Sequence, residues 1–553
     1  MNEPIPAGLR RDLPALAERV LIIGLDGATF DILTPMMDAG RMPNLRAFVE
    51  RGVCGALEST RPPITPAAWT TFMTGKTPGT HGVIDFERYD PHTDRLSFNS
   101  VQSVGHVRNI WRMLGDKGLR VGVINVPMTY PPRPVNGFLI TGFETPGTDV
   151  EFTHPPGLKD DILTRWPGYT FKTTWKRTTW RGARAFADNL KRICDSFHNG
   201  VEVTRFCGDR YGWDALMIVF KLVDNLQHKT WKYLDPRWRD DDPRRAAMVA
   251  DCFNELDVAL GGLFEYAESN RAHVFIMSDH GHGSLEGKIQ PNLMLKEWGY
   301  LHLETGGAQS RTRAAGIFRR AFGRKKGKFA THQQIDGELA VDFGRTRACV
   351  MHAGMYGFLY LNLKGRQPTG IVDQADYESL RDELRGRFLS AGISDAAGRP
   401  IKAFTHAFKP EELYGCSRVG REWMPDLLLA PIDGLAVVRK IRGSRPVRWF
   451  GPRKIEGTHR LDGMFAMAGD GVVRGVTRRE RIIDATPTML AMLGLRIPDD
   501  LEGRVMTDLF DRPIQFEHES AERATAVAAG GDVYSEREQQ VLTERLADLG
   551  YLE

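Results

Sequence analysis

Carboxylate and imidazole side chains follow apolar runs at several points of this sequence. The apolar residues 274–277 lead through a serine into Asp279, His280 and Gly281. A buried strand that ends in this way presents its acid and its histidine at the carboxyl edge of a sheet, because glycine lets the backbone bend sharply away. In isolation, a strand followed by a polar turn is the better explanation of these residues. Three further segments with similar side chains favour a shared cation site.

The apolar run Val20 to Leu25 predicts a buried parallel strand that ends at Asp26 and Gly27. Open α/β sheets bind their ligands at such strand ends. Asp26 is therefore a second candidate metal ligand. The alternative is an aspartate that only forms a turn with Gly27.

Thr65 precedes Pro66 and a short helical segment that closes at Gly75. Because proline is favoured at the first helical position, the sequence predicts a helix with Thr65 as its N-cap. A hydroxyl at a helix start lies where backbone N–H groups and the helix dipole favour an anion such as a phosphoryl group. The alternative is a threonine that only caps the helix.

Asp224 and His228 follow a further apolar run and are four residues apart. On a helical turn they face the same side and can share a cation. His459, on a predicted loop between glycines, is the last candidate ligand; a surface histidine is the alternative. His282 follows His280 closely, but its phase points away from the same cation, so we assign it to a loop or to the substrate side.

Together the candidates combine carboxylates and imidazoles without thiolates, which suits Zn²⁺ or Mn²⁺ in a catalytic site. Seven groups are too many for one tetrahedral ion but fit two. Two ions about 4 Å apart can clamp the attacking and leaving oxygens of a displacement at phosphorus. The seven residues are Asp26, Thr65, Asp224, His228, Asp279, His280 and His459.

Apolar runs that alternate with helical periodicity predict an α/β fold that places these residues at strand ends. An aromatic and basic stretch interrupts the alternation, and we interpret it as a packed cap rather than a nucleic-acid contact. The last segment predicts a helix packed on the outside. We expect core segments at 19–140, 209–300 and 421–510, a cap insertion at 141–208, a basic excursion with a small α+β subdomain at 301–420, and a tail helix at 511–553.

Composition narrows the possible partners and compartments. The net charge of +4 over 553 residues gives no electrostatic case for nucleic acid. No window approaches the ~18 apolar residues of a membrane-spanning helix. Six scattered cysteines indicate a reducing compartment, so we expect a cytoplasmic protein. The basic stretch 311–328 is typical of a solvated excursion, and a weak membrane-surface contact is the alternative.

The order of these motifs resembles the alkaline phosphatase superfamily: Asp-Gly after the first strand, Thr before a helix, Asp-xxx-His, Ser-Asp-His-Gly, then Gly-Thr-His. Within it, the chain is similar to the type I phosphodiesterase/nucleotide pyrophosphatase branch, in particular to its bacterial predicted phosphohydrolase or phosphomutase members. Residues 74–82 are similar to the stretch after the family's nucleophile helix. The resemblance, from about Val20 to Phe510, implies a sandwich with a mostly parallel central sheet, helices on both faces, cap insertions and a small α+β subdomain.

The resemblance also implies roles for the candidate residues. Thr65 would be a nucleophile that forms a phosphothreonyl intermediate. Two divalent ions, Zn²⁺ or Mn²⁺, would offset charge on the phosphoryl oxygens, and one would activate the water that releases phosphate. Asp26, Thr65, Asp279 and His280 would hold one ion, and Asp224, His228 and His459 the other.

One position departs from the family pattern. Nucleotide pyrophosphatases usually carry an asparagine three residues after the nucleophile, where this chain has Ala68, and Trp69 replaces a family histidine. Phosphoryl contacts must then come from elsewhere, such as a backbone N–H at the helix start or a basic side chain of an insertion. The departure speaks against a nucleotide substrate and leaves the metal chemistry intact.

These features lead to three functional hypotheses. The first is a metal-dependent phosphoric-ester hydrolase for a small phosphate ester, with diesters favoured over monoesters. The second is a phosphomutase or phosphotransferase in which the same threonine passes its group to an alcohol. The third is a metal-bound scaffold without turnover. The complete set of ligands and the nucleophile speak against this third hypothesis.

Overall fold

The computed structural model describes residues 11–172, 182–304, 334–336, 339–521 and 533–549. The basic stretch 311–328 therefore lies outside the described residues. The described part forms two compact units. Unit 1 contains the described residues of Met1–Phe86, Phe98–Ser284 and Ile455–Tyr551, and unit 2 contains Glu87–Ser97 and those of Leu285–Lys454.

Unit 1 is built on a nine-stranded, mostly parallel sheet. The five consecutive strands from Ala272–Met277 to Gly137–Thr141 run parallel, whereas Asp462–Ala468 is antiparallel to both of its neighbours. The parallel direction brings the carboxyl ends of the central strands to one edge, as the sequence predicts. The strand order is Val476–Arg481, Val53–Glu58, Asp462–Ala468, Ala272–Met277, Arg19–Leu25, Ala215–Phe220, Val121–Val126, Gly137–Thr141 and Thr153–His154.

Both faces of this sheet are buried under helices. In the central strand, Leu21, Ile23 and Leu25 pack into one apolar cluster. Val20 and Ile22 point to the opposite face and pack into a second cluster. A strand covered on both sides must be apolar throughout, which explains its continuous hydrophobic sequence. One face carries the helices Phe30–Asp38, Pro43–Glu50, Leu158–Arg165, Ala183–Tyr211, Leu222–Leu234 and Pro243–Ser269, and the other carries Thr65–Thr74, Ile110–Asp116 and Ala485–Met492.

Two segments of unit 1 differ from the expectations. The helix Ala183–Tyr211, in the predicted cap insertion, packs in the first apolar cluster and thus belongs to the body of the unit. The C-terminal helix Glu536–Leu549 does not simply rest on the outside, because Leu542 and Leu546 are buried. Its Arg545 donates hydrogen bonds to the backbone oxygens of Phe143, Thr145 and Pro146, next to the buried carboxyl of Glu144.

Unit 2 contains a four-stranded antiparallel sheet and the helix Tyr377–Ser390. It begins at Leu285 and ends at Lys454, whereas the sequence suggested 301 and 420. The later boundary arises because Leu427–Pro431 pairs with two strands of this sheet rather than with the large sheet. Its strand order is Ala348–Ala353, Gly357–Leu361, Leu427–Pro431 and Phe404–Phe408.

The helices also bear on membrane association. Only helices as long as Ala183–Tyr211 or Pro243–Ser269 could approach the thickness of a bilayer. Both carry many charged residues. Across the described ranges, no helix is both long enough and apolar enough to cross a membrane.

Candidate metal centre

Gly27 joins the ends of neighbouring strands at the carboxyl edge of the large sheet. Its N–H donates to Asp279 Oδ1 at 2.9 Å, and its carbonyl oxygen accepts a hydrogen bond from Gln227 Nε2 at 2.8 Å. Its φ of 68° lies in the left-handed region. A Cβ at this position would also lie 2.6 Å from His282 Nδ1. Backbone conformation and crowding therefore both require glycine after Asp26.

One group of ligand atoms gathers around Asp224. Its Oδ1 lies 3.2 Å from His228 Nε2, as expected from the helical turn of Leu222–Leu234, and 3.4 Å from His459 Nε2. His459 lies on the short strand Glu456–Arg460 rather than on the predicted loop. His282 Nε2 also joins the group, 3.5 Å from Asp224 Oδ1. The assignment of His282 to a loop is wrong, because the residue lies on the strand Gly281–Leu285.

A second group gathers around His280. Its Nε2 lies 3.2 Å from Asp279 Oδ2 and 4.0 Å from Asp26 Oδ1. Thr65 Oγ1 approaches the same nitrogen at 3.3 Å. Ligand atoms of Asp26, His280 and Asp224 lie within 4.8 Å of one another, so Asp224 faces both groups. The structure thus brings all seven candidate residues together.

The four histidines of the two groups share one hydrogen-bonding pattern. Each ring has Nδ1 next to a backbone carbonyl oxygen, which can only accept, so the proton lies on Nδ1. The Nε2 lone pair then points into the groups. A second hydrogen bond of this kind fixes tautomer and ring orientation in metal-ligating histidines. The pairs are His228 with Gly457 (2.8 Å), His459 with Pro63 (2.9 Å), and His280 with Gly281 and His282 with Gly27 (3.1 Å each).

Thr65 occupies a different helical position from the one predicted. The N-cap of the helix Thr65–Thr74 is Ile64, so Thr65 is the first helical residue and Pro66 the second. Its hydroxyl forms no capping hydrogen bond and instead faces His280. The alternative of a threonine that only caps its helix is therefore excluded. The helix is buried along its whole length and closes at Gly75 as predicted.

Two residues of the site have roles that were not predicted from the sequence. Trp69 donates from Nε1 to Asp26 Oδ2 at 3.0 Å. Lys221 lies between the two groups, with Nζ 2.9 Å from Asp26 Oδ1 and 2.5 Å from Asp224 Oδ2. Spacing could have indicated both residues, because Trp69 lies four residues after Thr65 and Lys221 three before Asp224.

Burial and neighbouring charges set the protonation of these groups. Burial, opposed by Lys221 and reinforced by Asp224, raises the pKa of Asp26 to about 6. Burial acts in the same direction on Asp224, but the positive charge of Lys221 opposes it, and the pKa of Asp224 is held well below the usual value. Burial also keeps three imidazoles in the neutral form that binds metal, because it lowers the pKa values of His280, His282 and His459 well below the ordinary value.

Comparisons with known proteins bear on the fold and the family of the chain. No curated protein sequence matches the chain. Among solved structures, phosphonoacetate hydrolase from Sinorhizobium meliloti 1021 in complex with phosphonoformate is 16% identical with a TM-score of 0.50, over 86% of this chain and 95% of that one. Human ectonucleotide pyrophosphatase/phosphodiesterase 5 is 13% identical with a TM-score of 0.49, over 89% and 100%. The first similarity shows that the chain shares the fold of that hydrolase.

The family profile described as type I phosphodiesterase/nucleotide pyrophosphatase matches residues 20–462. The matched range begins at the strand before Asp26 and ends beyond His459, so it includes all seven candidate residues. It also covers most of the chain, as the resemblance of the motifs implies. The chain therefore belongs to the type I phosphodiesterase/nucleotide pyrophosphatase family and is a phosphoric-ester hydrolase of the alkaline phosphatase superfamily.

Proposed function

We propose that this protein hydrolyses small phosphoric diesters through a phosphothreonyl intermediate on Thr65, with two divalent ions in the candidate metal centre. The observation that carries the proposal is the position of the Thr65 hydroxyl. It lies 3.3 Å from His280 Nε2, at the first residue of a buried helix. A hydroxyl that takes no part in capping and faces a cluster of ligand atoms is placed to act as a nucleophile.

The donor set fits Zn²⁺ or Mn²⁺. Neutral imidazoles and carboxylates bind these ions, and the two groups contain both. Asp26, Asp279, His280 and Thr65 would hold one ion, and Asp224, His228 and His459 the other. Bound there, the ions would lower the pKa values of a coordinated hydroxyl and water and would stabilise charge on the phosphoryl oxygens.

The residues of the chain determine how a substrate is placed. The first turn of the helix Thr65–Thr74 leaves backbone N–H groups without helical acceptors, and these can bind a phosphoryl oxygen in place of the family's asparagine. Lys221 holds the carboxylates of Asp26 and Asp224 in place through its two ion pairs. Burial of these groups excludes bulk water, which strengthens each charge interaction.

The proposed reaction has two displacements at phosphorus. Thr65 Oγ1 first forms a bond to phosphorus, and the alcohol of the diester leaves. Water then displaces Thr65 from phosphorus and restores its hydroxyl. One water is consumed overall, with one hydrogen on the released alcohol and the remaining hydroxyl on the released phosphate monoester.

Turnover of bis(p-nitrophenyl) phosphate and p-nitrophenyl phosphate with Zn²⁺ or Mn²⁺ tests the proposal. We expect Thr65→Ala to lower kcat by roughly 10³-fold or more, because the nucleophile is lost, while metal still binds. Thr74→Ala is the matched control, since Thr74 is buried in the same helix and donates only to the Thr70 backbone oxygen. Activity of Thr65→Ala near that of this control would exclude Thr65 as the nucleophile.

Acid quenching and isotope labelling separate hydrolysis from group transfer. Rapidly quenched enzyme is expected to carry the esterified phosphoryl group on the peptide that contains Thr65. In ¹⁸O-labelled water, the released monoester is expected to gain one labelled oxygen. Product without label would assign the enzyme to transfer onto an alcohol.

The proposal includes a reducing compartment, with the cytoplasm as the expected location. All six cysteines are free thiols. Cys194 and Cys252 have Sγ atoms 3.3 Å apart, so an oxidising compartment would favour a bond between them. Thiol titration of protein isolated under anaerobic conditions, with six free thiols expected, tests this part.

A further inference from the structure

His282 is fixed in place by its surroundings. It lies on the short strand Gly281–Leu285 with a side chain that is fully buried. Its Nδ1 donates to the carbonyl oxygen of Gly27 at 3.1 Å. The indole of Trp231 stacks against the ring, with centroids 6.0 Å apart and planes 26° apart. The ring therefore has one tautomer and one orientation.

The second ring nitrogen of His282 has no hydrogen bond to any described residue. Because Nδ1 carries the proton, Nε2 presents a lone pair, and this lone pair faces the Asp224 group. A buried acceptor without a donor is costly unless something else binds it. The other three histidines of the centre direct Nε2 in the same way.

The spacing of the ligand atoms matches a four-coordinate ion. Four atoms around Zn²⁺ with bonds of about 2.0–2.1 Å lie roughly 3.3 Å from one another. Here Asp224 Oδ1 lies 3.2, 3.4 and 3.5 Å from the Nε2 atoms of His228, His459 and His282. The Nε2 atoms of His228 and His459 are 3.0 Å apart, and all four atoms lie within 4.8 Å of one another.

We propose that His282 is a fourth protein ligand of the ion held by Asp224, His228 and His459. The inference rests on the metal centre of the proposed function but not on turnover. With His282 as a fourth protein ligand, water or a phosphoryl oxygen would join this ion by expanding its coordination from four to five. Removal of His282 should therefore lower the affinity for this ion more than the affinity for the ion held by the second group.

Metal binding tests the assignment without an activity assay. Zn²⁺ affinity is measured by competition with a chromophoric chelator, and coordination number by the visible absorption of the Co²⁺-loaded protein. We expect two ions in the wild type. His282→Ala is expected to lower the affinity for the ion of the Asp224 group by at least about 100-fold and to reduce the intense absorption of four-coordinate Co²⁺. Free imidazole is expected to restore that absorption by filling the vacated space.

His273→Ala is the matched control. His273 is also buried on unit 1 and bonded to a backbone oxygen, that of Asp470 at 2.8 Å, but it lies outside both ligand groups. We expect its affinities for both ions to equal those of the wild type. Equal affinities in His282→Ala and this control would overturn the assignment. Wild-type protein that binds no ion would instead refute the proposed metal centre.

A measurement on the unaltered protein covers the case in which His282→Ala does not fold. In protein labelled with ¹⁵N-histidine, each Nε2 that binds an ion shifts its NMR resonance on addition of Zn²⁺. Four shifted Nε2 resonances would support the inference, and three would overturn it. The four expected residues are His228, His280, His282 and His459.

Discussion

Trp69→Phe tests whether an indole in the core controls metal affinity. The indole Nε1 donates to Asp26 Oδ2 at 3.0 Å, and phenylalanine keeps most of the apolar ring while removing that donor. A hydrogen bond to a charged group contributes about 1.5–3 kcal/mol. Loss of a partner that orients a metal ligand typically costs about 10- to 100-fold in affinity. Both magnitudes lead us to expect a loss of one to two orders of magnitude for the ion bound by Asp26.

Trp111→Phe provides a control for the lost volume. Trp69 and Trp111 are both fully buried in the second apolar cluster, and both rings pack edge-on against Phe72. Trp111 Nε1 makes no hydrogen bond within the described part of the chain. Both variants thus lose similar packing, but only Trp69→Phe deprives a carboxylate of its donor. Comparable losses of stability are expected in denaturant unfolding.

Competitive Zn²⁺ titration is the assay for this pair. We expect Trp69→Phe to lower the affinity for the ion bound by Asp26. In Trp111→Phe, the affinities for both ions should equal those of the wild type. If the two variants bind Zn²⁺ equally well, Asp26 is not a ligand whose orientation depends on Trp69. A uniform loss at both ions in both variants would trace the effect to packing and refute the reasoning.

Two further substitutions probe backbone and burial. Gly27→Ala should cost about 1–3 kcal/mol of stability and weaken metal binding, because a left-handed residue gains a Cβ 2.6 Å from His282 Nδ1. Gly40→Ala, also left-handed but with nothing within 4 Å of the new Cβ, should leave metal affinity unchanged. Burial raises the pKa of Glu144 to about 7, so its ionisation lowers folding stability as pH rises from about 4.5 to 7. The free energy of unfolding of Glu144→Gln, measured with denaturant, should therefore exceed that of the wild type by up to about 3 kcal/mol at pH 8 and equal it near pH 4. An equal difference at both pH values would contradict this expectation.

The core strands and their ligands follow from local sequence. Arg19–Leu25 and Ala272–Met277 are continuous apolar runs because helices cover both faces of the sheet. Parallel strands bring their carboxyl ends to one edge, which places Asp26 beside Asp279 without knowledge of any contact. The helical spacing of four likewise places Asp224 near His228.

His282 could not be placed in the same way, because its position depends on a distant strand. The backbone turns at Gly281 and starts a strand that pairs with Glu456–Arg460, which carries His459. Local phase describes only the continuation of the preceding strand, so it directs His282 away from the cation. The end of unit 2 depends on distant pairing too, since Leu427–Pro431 joins a sheet that begins at Ala348.

The two peptide groups that meet at Gly27 act on both halves of the metal centre. One gives its N–H to Asp279, and the other gives its carbonyl oxygen to His282. Each plane is rigid, so any rotation at Gly27 disturbs both side chains at once. Immobilising one of these side chains reduces the conformational entropy that the other loses when it becomes ordered. Binding of the two ions can therefore be cooperative without a change of shape. The first ion to bind therefore stiffens the pocket that the second ion enters.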